Sequence, residues 1–458
     1  MAVKTREEYL AALKKLRPNI YKFGELIEDV TTHPATKRTV ESHARAFDAA
    51  NDPELQKMYT TTSIFTGEKI QRWNSMMQDD SALIQNMRFK RQNYRRTGTC
   101  TGAVCVGWNA MNVMWAVTED MDAEYGTNYK ERLKKWILHA EKEGLTVAGA
   151  LTDAKGDRSK SPSQQAEPDT NLHVKEVRED GIVIRGAKLM ICGTAAAQEI
   201  FLLPGSGYKD PDKDYVLACV VPRDIEGLTI VEARHPSDKR ELEDTADVEV
   251  PSTGITQGWL LFDDVFVPNE RVFMCGEAKY SGKAIQYFTA NYRACIGGCV
   301  TGQGDVMIGA SILMARANGL KTKTFMNKLV DMSINNTVTF GLGAGACALG
   351  FQHASGSFFA DPHTAHTNKV MVATLPYEVK RLTQEIGGGI VETGCMPSYA
   401  DVSHPETIGA GVPGCMHGGG SPDGAKLVVR FTTPMEEYAD YARNIINIEE
   451  EVKDPGNK

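Results

Sequence analysis

The chain is 458 residues long, 42% hydrophobic and 24% charged, with a formal net charge of −8. That length supports a large core in two or three domains, and the composition excludes a disordered chain. The acid excess is spread along the sequence, which argues against nucleic acid or an anionic membrane surface as the main partner.

The N-terminus, MAVKTREEYLAALKKL, lacks a signal-peptide core and reads as a helix. No run of roughly 18 apolar residues occurs, so no membrane span is expected and the protein is read as cytoplasmic. Residues 1–148 keep helical spacing through DPELQKMYTT, NAMNVMWAVTEDMDAEYG and RLKKWILHAEKEG, the last stopped by Gly144. From 149 to 277 the period shortens towards two. LHVKEVREDGIVIRGAKLMI predicts a hairpin about Asp180–Gly181, and KDYVLACVVPRD, GLTIVEARH and GWLLFDDVFVPNERVF predict further strands of a β-rich middle domain. Helical spacing returns over 278–458, first as one long helix or two joined near Gly297–Gly298. A Gly- and Pro-rich loop is expected over 396–425, and PMEEYADYARNIINIEEEV closes the chain as a helix. The predicted class is α+β: helices, then strands, then a helical bundle.

Four segments offer chemistry. TGTCTGAVCVGWN carries Cys100 and Cys105, and NYRACIGGCVTG carries Cys295 and Cys299 at i, i+4, which on a helix turns both thiols the same way. Ten cysteines in a reducing compartment are not expected to form structural disulfides, and Cys219 and Cys347 sit in apolar runs as core residues do. Four soft thiolates suffice for an iron–sulfur cluster or zinc, although these spacings match no zinc-finger or ferredoxin pattern, and buried inert cysteines remain the competing reading. LTDAKGDRSKSPSQQ (151–165) concentrates hydroxyls and backbone donors in a loop, and could equally be a solvated connector. RGAKLMICGT ends at Cys192–Gly193–Thr194, where a glycine lets a flat ring approach the backbone. MHGGGSP (416–422) is a flexible glycine loop able to wrap a pyrophosphate or simply to turn.

With DVTTHP, DPELQKMYT, YGTNY, TDAKGDRSKSPS, DGIVIRGAK, FDDVFVPNERVF and MHGGGSP, nearly the whole chain resembles the 4-hydroxyphenylacetate 3-hydroxylase / 4-hydroxybutyryl-CoA dehydratase family. The resemblance implies an acyl-CoA dehydrogenase-like fold, with a helical N-domain, a central β-barrel-like domain and a C-terminal bundle, assembled as a tetramer or dimer. It also implies FAD, lined by Thr152, Lys155, Asp157, Arg158, Ser163, Cys192, Gly193 and Thr194, with His417, Gly418 and Gly419 holding the rest, across a subunit boundary. Two branches share the scaffold. One comprises monooxygenases fed reduced FAD by a separate flavin reductase. The other comprises dehydratases that carry a [4Fe–4S] cluster on three cysteines and a histidine and act on 4-hydroxybutyryl-CoA.

CVGWNAMN and GGCVTGQGDVMIGA are similar to the dehydratase's cluster-bearing helices, and Gly149 replaces a histidine usual in the monooxygenases. The resemblance therefore implies a dehydratase-branch enzyme acting on an acyl-CoA or small organic acid, with Cys100, Cys105, Cys295 and Cys299 as the metal set. The alternatives are an aromatic monooxygenase and a degenerate flavoprotein. The chain departs from the dehydratase pattern at Tyr292, which stands where that branch has its histidine ligand and becomes the candidate acid/base. Gln257 stands in a catalytic glutamate's place and cannot act as a base. Ile296, Val300 and Gly414 also replace titratable residues, and the segment before MHG is short.

Overall fold

A computed structural model describes residues 3–154, 156–232 and 253–388. Lys155, His417, Gly418, Gly419, the loop expected over 396–425 and the closing helix lie outside the described residues.

The N-terminal helices form for local reasons. Asp79 caps the Asp80–Thr97 helix by accepting from Ala82 N–H at 2.7 Å, and Gly98 at φ 66° ends it. The next helix, Gly102–Tyr125, is buried along most of its length, from Gly102 to Thr118, as its apolar run requires. It presses on the Val147–Ala150 strand at two glycines. A Cβ on Gly107 would lie 2.4 Å from the Val147 carbonyl oxygen, and one on Gly149 would lie 2.4 Å from Val106 Cγ1.

The middle of the molecule is two open sheets, where the resemblance implied something barrel-like. A six-stranded sheet runs in the order Glu25–Ile27, Ile20–Lys22, Leu228–Glu232, Gln257–Pro268, Gly181–Cys192, His173–Val177. A four-stranded sheet runs Val272–Cys275, Leu217–Pro222, Glu199–Leu202, Val147–Ala150. The hairpin read about Asp180–Gly181 is present, with Val177 opposite Ile182. The strand Ile20–Lys22 pairs in parallel with Leu228–Glu232. Its three residues are too few to show a period, and so the N-terminal segment enters the sheet without a sequence signal.

The C-terminal part opens with one continuous helix, Ala278–Ala317, of 40 residues, about 60 Å long at the usual rise. Gly297–Gly298 does not break it. Gly298 instead admits the Asp80–Thr97 helix, because a Cβ there would stand 2.3 Å from the Met87 carbonyl oxygen, and one on Gly302 would stand 2.6 Å from Tyr94 Cβ. Asp305 fixes this crossing, accepting from Arg91 Nε and Nη2 at 2.7 Å each and from Arg95 Nε at 2.6 Å. The helices Lys323–Ala348, Pro362–Met371 and Leu375–Gly387 pack on the long helix. No described helix is long and apolar enough to cross a membrane.

Candidate functional site

The glycine crossing places the second half of Asp80–Thr97 against Tyr292 and Cys299, and the segment after Gly98 carries Cys100 and Cys105 into the same interior. Lys90 is the centre of this nest. It is 5% exposed, and its Nζ lies 5.5 Å from the Tyr292 ring centroid. Phe288 stacks on Tyr292 with ring centroids 5.5 Å apart. Burial pushes the ammonium down, but Cys105, Cys295, Cys299 and Cys100 outweigh it and hold its pKa above the ordinary value.

The thiols respond in kind. Cys105 is drawn down by a hydrogen bond from Cys100, against burial and with help from Lys90. Cys100 is pushed up by that same bond, by burial, and by the charges of Cys105, Cys299 and Cys192. Burial raises Cys299 to about 11. Tyr292 is held well above the ordinary phenol value, by burial first and then by the Cys105 and Cys100 thiolates. Tyr292 is therefore a protonated O–H at neutral pH.

Cys295 has further partners on the other side. Its Sγ lies 3.7 Å from the Leu83 carbonyl oxygen, and it is hydrogen-bonded with Cys347. Cys295 precedes the Gly298 contact and packs beside Leu83, Cys299 follows it and donates to the Ile296 carbonyl at 3.2 Å, and both thiols act on Lys90. Among the described residues, no three His, Cys, Asp or Glu side chains stand close enough to hold a single metal ion. The donor set that shares Lys90 is four thiols and a phenol, of which Cys295 is also hydrogen-bonded with Cys347.

The Cys192–Gly193–Thr194 turn abuts this nest. A Cβ on Gly102 would lie 2.5 Å from Cys192 Cβ, and Gln257 Nε2 donates to Cys192 Sγ at 3.3 Å. Gly193 sits at φ 75°, where its missing side chain makes room for the Ala103 N–H. That N–H donates to His43 Nε2 at 3.1 Å, and His43 Nδ1 donates to the Thr39 carbonyl at 2.7 Å. Both ring nitrogens are thereby used, and burial pulls the His43 pKa down to about 4, leaving a neutral clamp on the start of the cysteine-bearing helix. The Thr194 hydroxyl is fully buried without a hydrogen-bond partner among the described residues.

The loop residues are arranged differently. Thr152 is exposed, and its carbonyl accepts from Leu189 N–H at 2.8 Å, tying the loop to the strand that ends at Cys192. Asp157 accepts from Ser159 N–H and O–H. Ser163 donates to Asp212 Oδ1 at 2.6 Å through its hydroxyl and at 3.0 Å through its N–H. Arg158 lines a cleft of about 520 Å³ between this loop and residues 205–212. The orphaned Thr194 hydroxyl, the glycine beside it and the loop anchored to the same strand suit a flat, polar-edged cofactor.

Lys90 and His43 were missed from the sequence. The buried residues Leu83, Asn86, Met87, Lys90, Asn93 and Thr97 share one face of their helix, so periodicity flags Lys90, although RFKRQNYRR reads as a solvated basic run. His43 lies on the buried face of Pro34–Asn51, where a satisfied core histidine is the ordinary reading.

Helices, two open sheets and a helical bundle make this an α+β fold with a thiol-lined interior. The chain belongs to the 4-hydroxyphenylacetate 3-hydroxylase family, whose N-terminal model matches residues 5–274 and whose C-terminal model matches residues 281–410. It is 35% identical over 408 residues to the 4-hydroxybutyryl-CoA dehydratase/vinylacetyl-CoA-Δ-isomerase of Clostridium aminobutyricum, covering 88% of this chain and 83% of that protein. It is 26% identical over 298 residues to the oxygenase component of 4-hydroxyphenylacetate 3-monooxygenase from Geobacillus sp. (strain PA-9), covering 62% and 58%. Among solved structures, an oxygen-tolerant archaeal 4-hydroxybutyryl-CoA dehydratase from N. maritimus superposes with TM-score 0.84 at 28% identity, over 99% of this chain and 97% of that one. The oxygenase component of a 4-hydroxyphenylacetate 3-monooxygenase, complexed with FAD, shares the fold at TM-score 0.76 and 19% identity, over 97% and 98%. These relatives are enzymes.

Proposed function

We propose that the protein is an FAD-dependent enzyme on the dehydratase side of its family, acting on an acyl-CoA or a similar small organic acid. The observation that carries this reading is the gathering of Cys100, Cys105, Cys295, Cys299 and Tyr292 around the buried Lys90, in a chain 35% identical to a 4-hydroxybutyryl-CoA dehydratase. Thr152, Asp157, Arg158, Ser163, Cys192, Gly193 and Thr194 would hold the flavin, joined by Lys155, His417, Gly418 and Gly419. Cys100, Cys105 and Cys299, with Cys295 one turn away, would hold a [4Fe–4S] cluster. Bound there, the two groups supply one- and two-electron chemistry and a Lewis-acidic iron.

The chain's own residues then have distinct tasks. Tyr292, protonated and half-buried, donates a proton or hydrogen bond and does not abstract one at neutral pH. Gln257 orients Cys192 and remains neutral. Lys90, itself buried, offsets thiolate charge in the nest. A chain with a phenol and an amide at these places favours double-bond migration or flavin redox chemistry over elimination of water.

The test is purification without oxygen, followed by flavin, iron and acid-labile sulfide per chain. About four irons with flavin, lost in Cys299→Ala, is the expected result. Flavin without iron would sink the cluster. The second reading, a two-component monooxygenase served by a flavin reductase, draws on the shared fold and expects oxygen uptake with reduced flavin and a phenol.

We also propose a homo-oligomer. Met326, Val330, Ile334 and Val338 form an exposed i, i+4 stripe along one helix, suited to a second copy. Light scattering that gives a monomer would overturn it.

A further inference from the structure

The strand Lys69–Gln71 and the helix Tyr129–Glu143 carry none of the thiol or flavin residues, yet with Val3 and Lys4 they line a cavity of about 290 Å³. Val3, Ile70 and the half-buried Leu138 give it an apolar lining. An apolar cavity of ~150 Å³ takes a benzene ring, so this one has room for a chain of roughly six to eight carbons.

Glu141 also lines the cavity, and nothing in the fold accounts for its carboxyl. It is 5% exposed and stands in the last turn of its helix, where the helix dipole disfavours an acid. Ser63 donates its one hydroxyl proton to Glu141 Oε2 at 2.6 Å, while the Ser63 oxygen accepts from the Phe65 and Thr66 N–H groups. Glu141 Oε1 is buried with no hydrogen-bond partner among the described residues. Burial outweighs the Ser63 bond and holds the carboxyl above its ordinary range. An unpaired buried oxygen destabilises the fold, and a ligand that pairs with it removes that penalty.

The charges around the cavity narrow the class of ligand. Lys4, Lys69 and Lys142 stand about it with one further acid, Glu68. Lys4 Nζ donates to the Glu143 carbonyl at 2.8 Å, and Lys69 Nζ donates to Gln56 Oε1 at 2.6 Å. Three ammonium groups disfavour a cationic ligand, and a buried carboxyl disfavours an anionic one. A hydroxyl both donates and accepts, so it can pair with Glu141 Oε1 whether the carboxyl is ionised or protonated. We propose that this cavity binds a neutral aliphatic alcohol, with its hydroxyl on Glu141 and its chain against Val3, Ile70 and Leu138. The site is separate from the reaction proposed above and does not depend on it.

The test is titration of the purified full chain, followed by saturation-transfer NMR, with four probes of one chain length: hexanol, its isomer methyl pentyl ether, hexylamine and hexanoate. Hexanol should bind about fivefold or more tightly than the ether, the difference expected of one hydrogen bond, and more tightly than the amine or the acid. Glu141→Gln keeps a hydrogen-bonding side chain and should keep the preference for alcohol over ether, while Glu141→Leu should abolish it. Leu138→Trp fills the cavity, leaves Glu141 in place and should abolish hexanol binding with the unfolding midpoint little changed. Equal affinity for alcohol and ether in wild type overturns the role of Glu141. Tighter binding of hexylamine or hexanoate overturns the neutral class. Hexanol binding that survives Leu138→Trp lies elsewhere and overturns the cavity, and no binding of any probe overturns the site. Should Glu141→Leu fail to fold, the probe series on wild type and the Leu138→Trp variant decide the matter without it.

Discussion

The thiol nest and the Thr152–Ser163 loop both stand out in the sequence, yet they are built in opposite ways. The nest is made of buried and half-buried side chains from long helices that cross and from the connector that carries Cys100, and its electrostatics depend on that crossing. The loop is exposed, bonds largely within itself and to Asp212, and is tied to the strand ending at Cys192 by one backbone bond. A change in the nest is therefore a change in folding as well as chemistry, while a change in the loop can alter binding alone.

The sharpest break of that comparison is at the crossing. Gly298→Val places a side chain where the Met87 backbone already stands 2.3 Å from the ideal Cβ. The helices must separate, at an expected cost of about 3 kcal/mol or more, and Lys90 loses its register with Cys299. Urea unfolding reads the cost. A stability within about 0.5 kcal/mol of wild type would show that the crossing is not what assembles the nest.

Next is His43, whose folded pKa near 4 lies below an ordinary histidine value of 6.5. The folded state holds it neutral, and between those values the unfolded chain binds the additional proton. Its contribution is complete above about pH 6.5 and is lost as the pH falls towards 4, amounting to about 3 kcal/mol. His43→Gln should flatten that part of the stability–pH curve. An unchanged slope would show that another group titrates there.

These two cases show what could be read before the fold was known. The order of helices, strands and helices was legible because it rests on local periodicity and turn chemistry, as at Asp180–Gly181 and Gly144. The cysteine pairs were legible as residue types, but the turning of Cys295 towards Leu83 was not, since it depends on where a second helix crosses. Lys90 carries a periodicity signal that its charge conceals. The pairing of Ile20–Lys22 with a strand some two hundred residues away has no local signal at all.

Asp305→Asn is a gentler probe of the same crossing. The carboxylate is half-buried and accepts from both Arg91 and Arg95, and those bonds hold its pKa below the ordinary value against burial. Its contribution is present above the unfolded carboxylate range and is lost as the pH falls through the lowered folded value. The variant should lose about 1 kcal/mol at neutral pH, after discounting for solvent, and should lose less on acidification than wild type does. Equal acid sensitivity in the two proteins would remove Asp305 from the account.

The smallest structural effect belongs to the loop and tests the other half of the comparison. The Asp157 side chain is exposed, and among the described residues it accepts from Ser159 two residues on and pairs with Lys160 at 3.7 Å. Asp157→Asn keeps the amide oxygen that can accept from Ser159, so the unfolding midpoint should not move. Retained flavin, measured by absorbance after gel filtration, should fall if the loop's role is to hold the cofactor. A shifted midpoint would mean that the loop contributes to folding after all, and that the division between a folding nest and a binding loop is false. An unmoved midpoint with full flavin retention would leave Cys192–Gly193–Thr194, held in place by His43 and Gln257, as the part of the site on which the cofactor depends.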